Sequence, residues 1–312
     1  MPKLRDQTAR LLDDPTSFAH RALAGLDPDV AAQVPPRPGE RPGPYGSPPR
    51  SPEEDSAGLR RLARHLYASD LYWVTPQMSA LAVSSAESLP SVRWSVVDRP
   101  DGANFGLLVW DGGIGMIDYG GVGVPTAAAS WAPHEDGLAV CVYMTRYDMA
   151  AAVERVTGQP APVDDIPPLV PVWSDVLPTG DQWTPASELG WWRTALTTLW
   201  ASWTLMQQPT VADRQRAEVD RAIRRSYGRA GRPAPEVTIV DLRRVYRPPR
   251  ERDPDEPPSR QYRHRWVVSG HWRDQPYGPG GTLRRRQWIP SYIKGPTGAP
   301  LLRTTRVNVW RR

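Results

Sequence analysis

Between residues 186 and 208, Leu189, Trp192, Leu196, Leu199, Trp203 and Met206 recur every three or four positions, with Trp191 and Trp200 widening the stripe. That period predicts an amphipathic helix from about Ala186 to Gln208, ended by Pro209. Each Trp can bury about 150–250 Å², so this helix needs a broad apolar partner and reads as the central core helix of a sizeable fold. An aromatic face that stacks bases or a ligand is the alternative.

The partner is found upstream. From Val92 to Arg146, short apolar runs (RWSVVD, FGLLVW, GMIDY, AAASWA, LAVCVYM) are separated by Pro100-Asp101-Gly102, Asp111-Gly112-Gly113, Gly120-Gly121 and Asp136-Gly137. Turn residues between strand-length runs predict a mostly antiparallel sheet of four or five strands. A helix is expected from about Ser56, on Leu59, Leu62 and Leu66. Leu71–Val74 then reads as a strand, followed by a helix opening at Thr75-Pro76. Asp148 is expected to cap a helix closed by Gly158, and residues 160–185 read as irregular apart from VWSDVL. Thr210 is expected to cap a polar helix, VADRQRAEVDRAIRRSY, closed by Gly228. Its Asp213, Glu218 and Asp220 interleave with Arg, which suits a solvated helix; an Arg-rich face on nucleic acid or an acidic partner is the alternative. Val237–Leu242, His264–Trp272, Arg286–Ile293 and Arg306–Trp310 read as strands. The fold class is α+β: mostly antiparallel sheets, a Trp-rich core helix and a basic C-terminal β segment.

Near the N-terminus only Thr16–Gly25 shows helical spacing. Val34–Pro52 is too rich in Pro and Gly for a helix or a paired strand and reads as an extended linker, with a PxxP ligand as the alternative. The organisation expected is therefore 1–55, an N-terminal segment with a Pro-rich linker; 56–209, an acidic α+β domain; and 210–312, a basic helix with a C-terminal β region. No apolar run approaches the ~20 residues of a membrane helix, and Met1–Arg10 lacks a signal-peptide core. A single cysteine, Cys141, excludes a disulfide framework and a cysteine-rich zinc site, and inside an apolar run it reads as inert core. A soluble cytoplasmic protein without cofactor or metal is expected.

Charge is distributed unevenly. Residues 210–312 hold 24 Lys and Arg against 10 Asp and Glu, a net of +14, while the rest of the chain carries −9. Nearly all the cations are Arg, only Lys3 and Lys294 being Lys, which resembles the codon bias of a very GC-rich genome such as an actinobacterium's. Bias acts on the whole chain and does not explain the split, which points to a polyanion or acidic partner at the C-terminal end.

From Arg260 onward 12 basic residues face one acid, Asp274, with Tyr and Trp interleaved. Arg alternating with rings on strands can grip phosphates and stack unpaired bases. The candidate nucleic-acid-binding set is Arg263, Arg265, His271, Trp272, Arg273, Tyr277, Arg284, Arg285, Arg286, Trp288, Tyr292 and Lys294. A half-buried sheet whose rings form its core, or a protein interface, is the alternative. Pro276–Gly281 reads as a hairpin loop: no GxxxxGK[ST] is present. HExxH, GxSxG, CxxC and DxDxDG patterns are also missing, and Asp164-Asp165 and Asp98/Asp101 read as surface charge. His271 is the one weak catalytic candidate, a proton carrier near phosphate.

The segment VVSGHWRDQPYGPGGTLRRRQWIPSYIKGP, followed by PLLRTTRVNVWRR, resembles the tail of a family of uncharacterised proteins from actinobacteria and their phages. LYWVTPQMSALA, FGLLVWDGGI, AAASWA, LMQQPT and VTIVDLRRV extend the resemblance over about residues 65–312. The layout is also distantly similar to the second class of type V-A anti-CRISPR proteins, with matches at Gly270, His271, Trp272, Arg273, Tyr277, Gly278, Trp288, Ile289, Pro290, Lys294 and Gly295. Ser291 departs from that pattern. In that class the resemblance implies recognition of a nascent CRISPR nuclease polypeptide with loss of its message. For this chain it implies the general class, a mobile-element protein acting on RNA or on host defence. The expected function is thus a non-enzymatic phage regulator or anti-defence protein, binding RNA or single-stranded nucleic acid through its tail and a host or phage protein through its acidic body. A metal-independent nuclease using His271 and a virion assembly protein are the alternatives.

Overall fold

The computed structural model describes residues 1–26, 51–89, 92–93, 98–119, 122–161, 163–178, 182–183, 193–243 and 264–294. Its helices are α1 (Pro2–Asp13), α2 (Phe18–Leu23), α3 (Pro52–Ala68), α4 (Pro76–Ala86), α5 (Arg146–Thr157), α6 (Arg193–Met206) and α7 (Arg221–Arg229). The strands are β1 (Asp70–Val74), β2 (Val92–Arg93), β3 (Gly106–Trp110), β4 (Met116–Tyr119), β5 (Val122–Pro125), β6 (Ala128–His134), β7 (Gly137–Thr145), β8 (Leu169–Pro178), β9 (Gln182–Trp183), β10 (Ala212–Ala217), β11 (Val237–Leu242), β12 (Trp266–Val268), β13 (His271–Tyr277), β14 (Leu283–Ile289) and β15 (Tyr292–Lys294).

The expected α+β class holds, and its centre is a seven-stranded sheet in the order β10-β11-β1-β3-β6-β7-β8. β1 runs parallel to both β11 and β3, and the other neighbours are antiparallel. The sheet thus exceeds the four or five strands expected, and it draws β10 and β11 from beyond residue 209.

Alternation along the strands divides two cores. Tyr72, Val74, Leu108, Trp110, Trp131, Val140 and Val240 face α4 and α6. Leu71, Leu107, Val109, Cys141, Tyr143 and Val237 face the N-terminal layer of α1 and α3. Helices therefore cover both faces, as buried strands require. On α6, Trp203 and Trp200 are 0 % and 3 % exposed, so this stretch is the core helix that the Trp spacing predicts. Trp191 and Trp192 lie outside the described residues.

Several local expectations change. The polar helix read over 211–228 is two elements: residues 212–217 pair with β11 as an edge strand, and α7 starts after Asp220, whose side chain caps it. The charges of β10 are satisfied across the edge, Arg216 by Glu236 at 3.2 Å and Asp213 by Arg243 at 3.1 Å. Residues 169–178 are a full strand despite Pro171 and Pro178, which an edge position tolerates. α3 begins at Pro52, four residues before its expected start, with Ser51 and Glu54 forming a reciprocal capping box. Thr145, not Asp148, is the N-cap of α5; Asp148, three residues on, is its partner in a second capping box. α1 had no expectation attached to it. It is tied down by the Leu169 amide, which donates to Thr8 Oγ1 at 3.1 Å, and by Leu12, whose carbonyl accepts from His20 Nδ1 at 2.6 Å. The expected strand Arg306–Trp310 lies outside the described residues.

Candidate nucleic-acid interface

The tail builds a two-stranded arm. β13 and β14 pair antiparallel from His271↔Ile289 to Tyr277↔Leu283, with Gly278–Thr282 as the connection, so the hairpin reading of the Gly-rich segment is correct. His264–Trp272 is not one strand: β12 pairs with β15, the chain breaks at Ser269-Gly270, and β13 starts anew. A Cβ at Gly270 would lie 2.5 Å from the Trp288 ring, so a side chain there would force that ring out of place.

Strand alternation sorts the candidate residues onto two faces. One face carries Trp272, Asp274 and Pro276 opposite Trp288, Arg286 and Arg284. Its base is consumed by packing. Trp288 is 5 % exposed within the main core; Trp272 crosses it edge-on at 5.2 Å, stands 5.7 Å from Trp200, and donates its indole N–H to the Ser85 carbonyl at 2.9 Å. The Trp288 amide donates to Gln208 Oε1 at 2.9 Å. These two rings bolt the arm to α4 and α6, Trp288 buried and Trp272 partly so, and this packing matches the reading in which rings form the core of a half-buried sheet. Arg286 pairs with Asp274 at 3.2 Å, and Arg284 is exposed, donating to the Gly281 carbonyl at 3.2 Å.

The other face holds His271, Arg273, Gln275 and Tyr277 opposite Ile289, Gln287, Arg285 and Leu283. Arg273 and Arg285 are exposed and have no carboxylate partner among the described residues. Arg285 lies over the Tyr277 ring at 5.8 Å, a cation–π contact that orients the guanidinium while leaving its edge in solvent. Tyr277 and Leu283 are 43 % and 50 % exposed, a surface ring beside an apolar side chain at the tip. Sequence reading did not single out Leu283; the cross-strand register reveals it. His271 is exposed, its Nδ1 3.1 Å from the Ser269 carbonyl, and its ladder neighbours include no carboxylate. Lys294 is exposed on β15, Arg265 is half-buried before β12, and Tyr292 pairs with Val268. Arg263 lies outside the described residues. The arrangement can neutralise phosphates and offer a ring; among the described residues no second acid–base group pairs with His271.

Elsewhere, His134, Glu135 and Asp136 at the β6–β7 turn place potential metal-ligand atoms within 4.8 Å of one another, but the turn faces solvent and His134 Nδ1 already accepts the Asp136 amide at 3.2 Å. Cys141 is buried, and burial pushes its thiol up to about 12. A thiol reagent should therefore leave Cys141 unmodified in native protein at neutral pH and label it within the mixing time in denaturant; native labelling at the denatured rate would contradict its packing. No helix among the described residues is long and apolar enough to cross a membrane.

No family model and no curated protein matches the chain. Among solved structures it is similar to AcrVA2, an anti-CRISPR protein of type V-A, at 14 % identity over 93 % of each chain with a TM-score of 0.36.

Proposed function

We propose that the protein is a non-enzymatic nucleic-acid-binding protein that grips RNA or single-stranded nucleic acid on the outer face of the β13–β14 arm. The observation that carries this reading is the pair Arg273 and Arg285, solvent-facing, without carboxylate partners among the described residues, and set beside the exposed Tyr277 ring. Guanidinium groups bind phosphate bidentately, and a surface ring stacks any base, so the combination favours an unpaired strand over a fixed sequence. The acidic body is the proposed site of a host or phage protein partner. The anti-defence setting rests on the tail motif from Gly270 to Gly295.

The test is binding of a labelled oligoribonucleotide by full-length protein at increasing salt. Affinity should fall steeply as salt rises. Replacing Arg273 and Arg285 together by Ala should cut affinity at least tenfold, since each charge-assisted hydrogen bond contributes roughly 1.5–3 kcal/mol. Arg286→Ala should do less, because that side chain is already paired with Asp274. Salt-independent retention, or none, would count against the proposal.

A further inference from the structure

We infer that α7 is a second anion-binding surface, one that holds the phosphate backbone of RNA without reading its bases; the inference rests on the nucleic-acid reading of the arm and extends it to the other side of the molecule. Arg221, Arg225 and Arg229 stand four residues apart on this nine-residue helix and all are exposed. A helix rises 1.5 Å per residue, so successive guanidinium groups are spaced about 6 Å along its axis, a step comparable to that between neighbouring phosphates on an extended strand.

The acids next to this stripe in sequence, Glu218 and Asp220, are already engaged. Glu218 pairs with Arg224 at 3.3 Å, to the side of the stripe, and the Asp220 carboxylate accepts the Ala222 amide as the N-cap. None of Arg221, Arg225 and Arg229 has a carboxylate partner among the described residues. The inner side of α7 is fixed: Tyr227 is buried, Ile223 packs against the N-terminal core, and Arg232 stacks on Tyr67 and Tyr227 at 5.4 and 5.1 Å.

Chemistry selects phosphate over an acidic protein. A protein–protein interface is organised around a desolvated apolar or aromatic centre. Between these Arg the helix exposes Arg224, already paired with Glu218, and otherwise only the small residues Ala222, Ser226 and Gly228. A backbone-binding surface needs cations and close approach, and small residues between the cations permit it. The arm differs in exposing Tyr277 and Leu283. α7 lies on the α1–α3 side of the sheet and the arm on the α4–α6 side, with the β10 edge between them. One strand of RNA can thus be held by ring and cations on one side and by cations alone on the other.

Anisotropy of labelled oligouridine, titrated with full-length protein at several salt concentrations, tests this. For a single strand each lost phosphate contact reduces the slope of log K against log salt by about 0.7, so replacing Arg221, Arg225 and Arg229 by Ala should make it shallower by about 2. The corresponding triple Lys variant should keep the wild-type slope, and circular dichroism should show both variants folded. A wild-type slope in the folded Ala variant overturns the inference, while loss of binding on replacing Arg273 and Arg285 would leave the arm reading intact. The reverse pattern, slope lost with α7 and binding unaffected by the arm, supports α7 and overturns the arm. Competition by polyglutamate as effective as by oligouridine at equal charge overturns the phosphate assignment, and absence of any wild-type binding overturns both readings.

Discussion

Trp131→Ala is expected to lower the unfolding free energy by about 3–5 kcal/mol, the cost of deleting a large aromatic side chain from a packed interior. Trp131 is 1 % exposed on the interior strand β6. Its ring meets Trp203 edge-on at 4.9 Å and lies near Tyr72 at 5.8 Å, so it couples the sheet to the core helix. The indole N–H donates to the Ala103 carbonyl at 3.2 Å, and truncation leaves that acceptor without its partner. Opposite it, Gly106 has no side chain because a Cβ there would fall 2.0 Å from the Trp131 ring. The void cannot be filled from that side. Urea unfolding followed by far-UV circular dichroism measures the loss, with Tyr147→Ala as control. Tyr147 is 72 % exposed and should change stability by no more than about 0.5 kcal/mol. A Trp131→Ala loss below 1 kcal/mol would mean that the sheet and α6 are not packed as described.

How much of this was legible from the residues depends on whether a segment's partners were near in sequence. β3, β6 and β7 follow their apolar runs closely because turn residues separate them and hairpin partners are adjacent. The residue 212–217 segment reads as helix on its charges, yet it pairs with a strand about twenty-five residues later, and edge pairing outweighs propensity there. Residues 169–178 were obscured by Pro171 and Pro178, which only the edge position makes acceptable. At the candidate site, alternation of Arg with rings was visible, but it could not say which ring faces inward. Trp272 and Trp288 point to the core because β13 and β14 dock against α6, a contact between distant parts of the chain. Tyr277, Arg273 and Arg285 remain outside because they occupy the opposite pleat. On α7 an Arg-rich face was legible only as the alternative to a solvated helix, because reading 211–228 as a single helix interleaves its Arg with Asp213, Glu218 and Asp220, whereas the helix that forms begins after all three.

Arg5→Ala should cost about 3 kcal/mol, although Arg5 is a charged residue in the first turns of the chain. Its guanidinium is 4 % exposed and donates to Tyr227 Oη at 2.6 Å, to the Ser69 carbonyl at 3.2 Å and to Asp6 Oδ1 at 2.9 Å. The Tyr227 hydroxyl donates in turn to the other Asp6 oxygen. One cation thus fastens α1 to the end of α3 and to α7. Breaking a buried pair from one side typically costs about 3–5 kcal/mol because the remaining partners stay desolvated; the Asp6 side chain keeps 25 % of its surface in water, which places the expectation at the lower end. Arg5→Met restores volume but not donors and should recover little. Combining Arg5→Met with Asp6→Asn and Tyr227→Phe removes the stranded charge and hydroxyl together, leaving the Ser69 carbonyl, and should recover more than half of the loss, a coupling that a purely steric role would not produce. The pH dependence gives an independent reading. Burial, and then the hydrogen bond to Asp6, push the Tyr227 hydroxyl up to about 12. Between its ordinary value near 10 and about 12, the native state keeps a proton that the unfolded chain has released, so stability declines as pH rises through that window and is fully present below it. Tyr227→Phe should flatten part of this decline, the remainder belonging to Tyr67, Tyr72, Tyr143 and the Cys141 thiol, which burial also raises. An unchanged alkaline profile in Tyr227→Phe, or a triple variant no more stable than Arg5→Met alone, would show that the clamp on α7 is not electrostatic.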